Sequence, residues 1–204
     1  MTTAMLQTTY FGPVQWYQKL QHYDHCLIEQ HDSYQKQTYR NRCLIATANG
    51  VQALTVPVSC DSVAGTDKCQ VKDVRISDHN QWRRIHWNAL QSAYSESPFF
   101  DYYADDIHPF FEKKYDYLVD FNEAIRQKVC ELIDIQPDVE YTKAYVNIAD
   151  NDFRNVIHAK HPKADPDFEA RPYWQVFQHR HGFLANLSIL DLLFCMGPEG
   201  VFYL

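Results

Sequence analysis

The chain has little glycine and lacks the glycine-rich loops that bind nucleotides. Only 6 of its 204 residues are glycine, and neither GxxxxGK[ST] nor GxGxxG occurs in the sequence. Because those loops cradle phosphates with backbone N–H groups, their absence argues against ordinary ATP and dinucleotide sites. No run reaches the ~18 to 20 apolar residues that a membrane-spanning helix needs, so we expect no transmembrane segment.

The chain also lacks an excess of positive charge. Its formal net charge is -7, which argues against non-specific nucleic-acid binding, since that binding needs a basic face. The N-terminus carries neither the basic region nor the apolar run of a secretory signal. The six cysteines show no CxxC spacing, and reduced, buried thiols in a cytoplasmic protein are the simplest account. They are Cys26, Cys43, Cys60, Cys69, Cys130 and Cys195.

What the chain does have is the composition of one ordinary globular domain. It is 46% hydrophobic and 22% charged, which is typical of a soluble fold, and we expect a single domain over residues 1–204. Aromatic residues make up 15% of the chain, and 14 residues are tyrosine. A tyrosine-rich surface suits stacking against sugars or nucleobases, whereas the structural alternative is that tyrosine fills the rim of the core.

The first thirty residues predict a βαβ unit. A strand over 4–8 is followed by a helix over 14–22, with Pro13 at its start, and by a strand over 25–30. In such units ligands bind at the carboxyl ends of the parallel strands. The side chains that this pattern brings to that edge are Gln7, Tyr10, Glu29 and Gln30.

The remaining pattern predicts an α/β fold with a mixed sheet, opened by the βαβ unit, carrying a β-hairpin and flanked by helices from the middle and C-terminal regions. Asn49-Gly50 between two apolar runs is a hairpin signal. Further strands are expected over 69–77, 139–146 and 173–179, and helices over 81–94, around Pro109, after a capping box at 120–123 and after Ser188. Residues 158–172 hold three prolines, and we expect a mobile loop there.

Residues 34–42, termed the basic segment, concentrate positive charge in an acidic chain. The segment reads Tyr34-Gln35-Lys36-Gln37-Thr38-Tyr39-Arg40-Asn41-Arg42, and no carboxylate occurs from residue 35 to 53. If the segment is helical, Lys36 and Arg40 lie one turn apart and repel each other unless an anion lies between them. Arginine supplies a planar fork and lysine a point charge for a phosphate or carboxylate. The alternative is a solvated basic face that pairs with Glu29 and Asp32.

The basic segment and several other stretches resemble the WbqC-like family, bacterial proteins found mainly in O-antigen and other surface-polysaccharide gene clusters. The resemblance covers nearly the whole chain. Besides Tyr34-x-Lys36-x-x-x-Arg40-Asn41-Arg42, it includes Gln7-Thr8-Thr9-Tyr10-Phe11-Gly12-Pro13, Asp24…Glu29-Gln30, Leu54-Thr55-Val56-Pro57-Val58, Trp82…His86 and Asn186-Leu187-Ser188-Ile189-Leu190-Asp191-Leu192-Leu193-Phe194. It implies a role in polysaccharide assembly, and transfer of glycine to an amino sugar has been proposed for the family.

We therefore expect a cytoplasmic enzyme that transfers an acyl or aminoacyl group to an amino sugar. With no nucleophile evident, Glu29, Asp24 or His86 would act as general base. The expected substrate-binding residues are Gln7, Tyr10, Gln15, Gln30, Tyr34, Lys36, Tyr39, Arg40, Asn41, Arg42, Ser188 and Asp191. The alternative is a non-catalytic protein of the same pathway that binds an anionic ligand or serves as a scaffold. The sequence specifies neither a cofactor nor an oligomeric state.

Three of these assignments have competing structural explanations. Ser188-x-x-Asp191 before an apolar run is a helix N-cap pattern that accounts for both residues, although a helix N-terminus also attracts anions. His86 follows Trp82 by one turn and is either a general base or a core histidine. His179 and His181 would share one face of a strand, but the spacing specifies no third ligand, so we predict no metal site.

Overall fold

The computed structural model describes residues 1–60 and 69–204. The strands are β1 (Thr3–Gln7), β2 (His25–Glu29), β3 (Arg42–Thr47), β4 (Gly50–Thr55), β5 (Val58–Ser59), β6 (Arg75–Ile76) and β7 (Val139–Tyr141). The helices are α1 (Val14–His22), α2 (Trp82–Tyr94), α3 (Phe100–Ile107), α4 (Pro109–Glu112), α5 (Leu118–Leu132), α6 (Gln178–His181) and α7 (Ile189–Met196). Short 3₁₀ segments occupy Val71–Asp73, His79–Gln81 and Gly197–Tyr203.

The predicted βαβ unit is confirmed. β1 and β2 are parallel, with Ala4 opposite Cys26 and Leu6 opposite Ile28, and α1 connects them. α1 starts after Pro13, whose extended backbone forms the N-cap. Proline suits the start of a helix because its ring fixes φ and it has no N–H group that needs a hydrogen-bond partner. β7 adds to the other side of β2, also in parallel, so the sheet order is β1-β2-β7.

The hairpin is confirmed, and the α/β class with it. β3 and β4 are antiparallel from Arg42 opposite Thr55 to Thr47 opposite Gly50. Gly50 has φ of +104°, a conformation that glycine adopts without strain. β5 and β6 form a further antiparallel pair. The described strands are thus distributed over three small sheets.

The basic segment is not helical, so the geometry expected for Lys36 and Arg40 is wrong. Residues 34–42 form turns that end where β3 begins. Their backbone is bound to distant parts of the chain: the Tyr34 N–H donates to the Cys69 carbonyl at 2.7 Å, and the Tyr39 carbonyl accepts from the Tyr10 N–H at 2.9 Å. Lys36 is consequently exposed and Arg40 buried, and the two do not share a face.

Four other local predictions are wrong. Residues 173–177 are irregular and lead into α6, so His179 and His181 lie in a short helix and not on one face of a strand. α5 begins at Leu118 without a side-chain cap, and Glu123, the expected capping residue, instead bonds Arg126 and Gln127. The strand expected over 139–146 ends at Tyr141. The strand expected over 69–77 is reduced to β6 and a 3₁₀ turn.

The core is rich in aromatic side chains around α7 and the start of the chain. α7 is buried from Ile189 to Cys195, and the ring of Phe194 packs against Tyr94 and Phe100.

The helices around Pro109 form as expected, α3 before it and α4 from it. Residues 158–172 contain no helix or strand, in agreement with the predicted loop. Among the residues described, no helix has both the length and the apolar character to cross a membrane.

The prediction of six reduced cysteines is wrong for one pair. Cys60 and Cys69 form a disulfide, with their Cα atoms 6.2 Å apart, within the range that such bonds require. The contact between Tyr34 and Cys69 brings residue 69 beside the end of β5, which sequence spacing alone does not indicate. The other cysteines, Cys26, Cys43, Cys130 and Cys195, are free and buried. Burial raises the pKa of Cys130 to about 11 and that of Cys26 to about 12, so both thiols stay protonated at neutral pH.

Candidate functional site

A cleft of about 490 Å³ lies between the basic segment and the chain that runs from β4 to β5. We term it the basic cleft. The basic segment lines it with Tyr34, Lys36, Gln37, Asn41 and Arg42, and the opposite wall is formed by Thr55, Val56, Pro57, Val58, Ser59, Cys60 and Val74. The cleft therefore combines two cations, two amides and a phenol with an apolar floor, the composition typical of small-molecule sites.

The two cations of the basic cleft are not paired with a carboxylate from the described part of the chain. Lys36 is exposed and Arg42 half-buried, and the Arg42 Nε donates to the Thr55 hydroxyl at 3.1 Å. Within the described part of the chain, no carboxylate lies within salt-bridge distance of either residue. An anion in the cleft would meet both positive charges without displacing an internal partner.

Arg40, the third cation of the segment, has a different environment. Its side chain is 2% exposed, and Nη2 donates to Asp32 Oδ2 at 3.0 Å. Burial lowers the pKa of Arg40, while the neighbouring Asp32 opposes that effect. Its Nε has no hydrogen-bond partner. The pairing of cations with acidic neighbours, given above as the alternative, thus describes Arg40 but not Lys36 or Arg42.

The carboxyl edge of the parallel sheet is covered by a later part of the chain. Glu29 is 1% exposed, and its carboxylate accepts hydrogen bonds from the His31 N–H, the Thr142 hydroxyl and the Val146 N–H at 2.7 to 2.9 Å. The Arg154 Nη1 lies 3.7 Å from the same carboxylate. Glu29 therefore holds residues 142–146 and Arg154 against the sheet.

Gln7 and Gln30 make equivalent contacts at this edge. The Gln7 Nε2 donates to the Ile157 carbonyl at 2.6 Å, and the Gln30 Nε2 donates to the Thr142 carbonyl at 2.8 Å. The Gln7 Oε1 has no partner. The structure thus brings Gln7, Glu29 and Gln30 together as the sequence predicts, with protein groups bonded to each of them.

Tyr10 and His86 meet in the aromatic core. The Tyr10 hydroxyl lies 2.9 Å from His86 Nδ1, and the two side chains are 0% and 4% exposed. Burial raises the pKa of Tyr10 and lowers the pKa of His86 to about 4. His86 is consequently neutral at physiological pH. Tyr39 is also buried, and burial raises its pKa to about 12.

Asp24 lies away from these residues. It precedes β2, so it is at the amino edge of the sheet, opposite the edge where Glu29 ends the strand. Its carboxylate accepts hydrogen bonds from the N–H and hydroxyl of Thr2, which lower its pKa. Its catalytic role stays a prediction.

Ser188 and Asp191 have separate roles in the structure. The Ser188 hydroxyl accepts from the Leu190 N–H at 3.3 Å, which confirms the N-cap of α7. Asp191 is not part of that cap. It is 0% exposed and accepts hydrogen bonds from Tyr94, Tyr173 and Gln175 at 2.7 to 2.8 Å. Burial raises the pKa of this carboxyl group against the effect of those three donors.

Gln15 belongs to a cluster that the sequence did not reveal. Its side chain donates to Asp165 Oδ2 at 2.8 Å and accepts from Asn186 at 2.9 Å. The Lys19 Nζ binds the same Asp165 oxygen at 2.8 Å. The one sequence signal for this cluster was Lys19, a charged residue beside Trp16 and Leu20 on the apolar side of α1.

A fourth cation near the basic segment was also missed. The Lys160 Nζ donates to Gln37 Oε1 at 3.2 Å, so the loop over 158–172 reaches the segment that lines the cleft. No sequence pattern links these two positions, which are 123 residues apart.

Comparison with known proteins places these residues in a family context. The model of the WbqC-like protein family matches residues 7–165, a range that contains the whole basic cleft and ends before Ser188 and Asp191. The chain is 26% identical over 227 residues to an uncharacterised protein of Mycobacterium tuberculosis, Rv1507c, and the alignment covers 98% of this chain and 96% of the relative. No solved structure matches.

Proposed function

Because the chain belongs to the WbqC-like protein family, we propose that it acts in the cytoplasm in the assembly of O-antigen or another surface polysaccharide. Its ligand is a small anionic or sugar-containing molecule that binds in the basic cleft. Its reaction is the transfer of an acyl or aminoacyl group, such as glycyl, to an amino sugar.

One observation carries the binding part of this proposal: Lys36 and Arg42 line the same cleft, and no carboxylate among residues 1–60 and 69–204 lies within salt-bridge distance of them. Such a pair can hold a phosphate or carboxylate, with arginine fixing its orientation through two N–H groups and lysine adding charge. Tyr34 and Asn41 would contact the ring and the polar edge of a sugar. The volume of about 490 Å³ lies within the range of small-molecule sites.

The catalytic part has less support than the binding part. An acyl transfer to an amine needs a base to accept the amine proton and positive groups to stabilise the carbonyl oxygen. The cations of the basic cleft meet the second need. Glu29 and His86, two of the three proposed bases, are both buried and bonded to protein groups. Because Glu29 and His86 are already bonded within the protein, their environments favour the second candidate function. That function is a non-catalytic protein that binds an anionic precursor.

Binding is tested by thermal shift and isothermal titration with inorganic pyrophosphate, glucosamine 1-phosphate, UDP-N-acetylglucosamine, acetyl-CoA and glycine. We expect at least one phosphate-bearing probe to bind, and Lys36→Ala and Arg42→Ala each to weaken it about tenfold, the equivalent of one charged hydrogen bond. Arg84→Ala is the matched control, because Arg84 is an exposed cation of α2 outside the cleft. No binding of any probe would overturn the proposed anion site.

Catalysis is tested separately by mass spectrometry of the amino sugar after incubation with acyl and aminoacyl donors. A mass increase that requires the wild-type protein and is lost in Lys36→Ala supports the transferase. Tight binding of a sugar phosphate with no mass change from any donor supports the non-catalytic alternative.

A further inference from the structure

A second groove, of about 520 Å³, shares no lining residue with the basic cleft. Its walls are the turn of the β3–β4 hairpin, the second half of α2 and the pair Val176–Phe177 that leads to α6. Besides Thr47, whose hydroxyl donates to the Gly50 carbonyl, the polar side chains that line it are Asn49, Gln52, Asn88, Ser92, Ser95 and Glu96.

These six side chains are free to bind a ligand. No hydrogen bond or ion pair joins any of them to another side chain or to the backbone among residues 1–60 and 69–204. Asn88 and Ser92 lie one turn apart on one face of α2, and Glu96 follows just beyond the end of that helix. Amide and hydroxyl groups both donate and accept hydrogen bonds. The groove therefore matches a ligand with several hydroxyl groups, each of which also donates and accepts.

The charge of the groove excludes one class of ligand. Glu96 is the one charged residue in the described lining, and the Arg180 guanidinium beside the hairpin turn is bonded to the Ala48 carbonyl. A phosphate or carboxylate would meet a negative charge here, whereas the ammonium group of an amino sugar would be attracted to it. Phe177 is half-buried at the edge of the groove, and the negative face of its ring suits the C–H face of a pyranose.

Hydrogen bonds to the buried Asp191 carboxylate connect the walls of the groove. The carboxylate of Asp191 accepts from the hydroxyl of Tyr94, at the end of α2, and from the Gln175 Nε2, just before Val176. The Tyr94 hydroxyl in turn accepts from the Ala46 N–H of β3 at 3.3 Å. A single buried carboxylate thus connects all three walls.

The hairpin turn is also bound by residues of α6 and its end. The Arg180 Nη1 donates to the Ala48 carbonyl at 2.9 Å, and the His181 Nε2 lies 3.1 Å from the Thr47 carbonyl. α6 therefore clamps the turn that carries Asn49. A site whose walls are fixed before binding loses less conformational entropy when a ligand enters.

We propose that this groove binds one uncharged or amino-bearing pyranose unit. Hydrogen bonds come from the amide and hydroxyl groups of the hairpin and α2, the ring stacks on Phe177, and Glu96 favours a sugar with a free amino group. The binding itself does not depend on the proposed function. The identification of this pyranose as the acceptor sugar of a transfer reaction does rest on the proposed function.

The test is an NMR titration of the isotope-labelled protein with glucose, glucosamine and N-acetylglucosamine. We expect chemical-shift changes at Asn49, Asn88 and Phe177. Asn88→Ala and Phe177→Ala should each weaken binding about five- to tenfold, as the loss of one hydrogen bond or stacking contact does. Gln91→Ala, an exposed amide of α2 that does not line the groove, should bind as the wild type does.

Two further variants make the outcome specific. Glu96→Gln should lower the preference for glucosamine over glucose and leave glucose binding unchanged. Glu169→Gln, at an exposed carboxylate outside the lining of both sites, should leave binding of all three sugars unchanged. The groove and the basic cleft share no lining residue, so the two sites can fail independently. The inference is overturned if none of the sugars shifts the groove resonances at tens of millimolar, or if the shifts map to the basic cleft.

Discussion

The ammonium group of Lys19 lies 2.8 Å from the carboxylate of Asp165, and the two side chains are 1% and 3% exposed. The Lys19 Nζ also lies 4.7 Å from the centre of the Phe153 ring. Because both charges are removed from water, each depends on the other. The loop over 158–172, which the sequence predicts to be mobile, is thereby fixed to α1 at one point.

Asp165→Asn should lower the free energy of unfolding by about 3 kcal/mol, because it leaves the buried Lys19 ammonium without a counter-ion. Urea denaturation measures the loss, and limited trypsin digestion should show faster cleavage after Lys160 and Lys163. Asp167→Asn is the control, since Asp167 is an exposed residue of the same loop. If both variants match the wild type, the pair does not hold the loop.

His86 should make the protein less stable as the pH falls below 6.5. The ordinary pKa of histidine is about 6.5, and burial lowers the pKa of His86 to about 4. Between these values only the unfolded state binds a proton, so the stability decreases with falling pH and levels off below pH 4. The loss between pH 7 and pH 5 should be about 2 kcal/mol.

The measurement compares chemical denaturation of the wild type and His86→Gln at both pH values. Glutamine keeps a hydrogen-bonding group near the Tyr10 hydroxyl but does not titrate. The variant should lack about 2 kcal/mol of the pH-dependent loss. Equal losses in the two proteins would show that other groups produce the pH dependence.

Replacement of Lys36 and of Arg40 by alanine should change the free energy of unfolding by very different amounts. Lys36 is exposed and forms no ion pair with any residue that the structure describes, so Lys36→Ala should change the stability by less than about 0.5 kcal/mol. Arg40→Ala removes a buried side chain and leaves Asp32 without its partner, so it should cost about 3 kcal/mol. Denaturant titration of both variants checks the contrast, and similar losses would contradict the assigned environments.

The cysteines should divide into four free thiols and one disulfide. Labelling of the denatured, unreduced protein with a maleimide should add four labels, and labelling after reduction should add six, in line with the pairing of Cys60 and Cys69. Cys69→Ser should leave a fifth reactive thiol, at Cys60. Six labels without reduction would show that the pair is not bonded.

Elements with a local signal could be predicted from the sequence. The βαβ unit follows from two short apolar runs around a helix that starts after Pro13, and the hairpin follows from Asn49-Gly50, because these patterns depend on neighbouring residues. The basic segment could not be placed in this way. Its turns are held by Tyr10 and Cys69, which lie about thirty residues from it on either side.

The basic segment could be identified from the sequence, but the arrangement of its side chains could not. The concentration of cations near residue 40 is visible in the sequence, and three of the polar residues do meet at the sheet edge. That Arg40 is buried on Asp32 while Lys36 and Arg42 line a cleft depends on tertiary packing. Two of the three hydrogen bonds to Glu29 come from residues more than a hundred positions later, and no local pattern reveals them.

The order of the parallel sheet has a consequence for the nascent chain. Cys26 of β2 is paired with Ala4 on one side and Val139 on the other. When the first two strands leave the ribosome, one edge of β2 must therefore wait for more than a hundred further residues to be translated. An unpaired strand edge is open to association with other chains, and closure of so long a loop slows folding. At this stage of synthesis the free edge of β2 is the part of the parallel sheet that is open to such association.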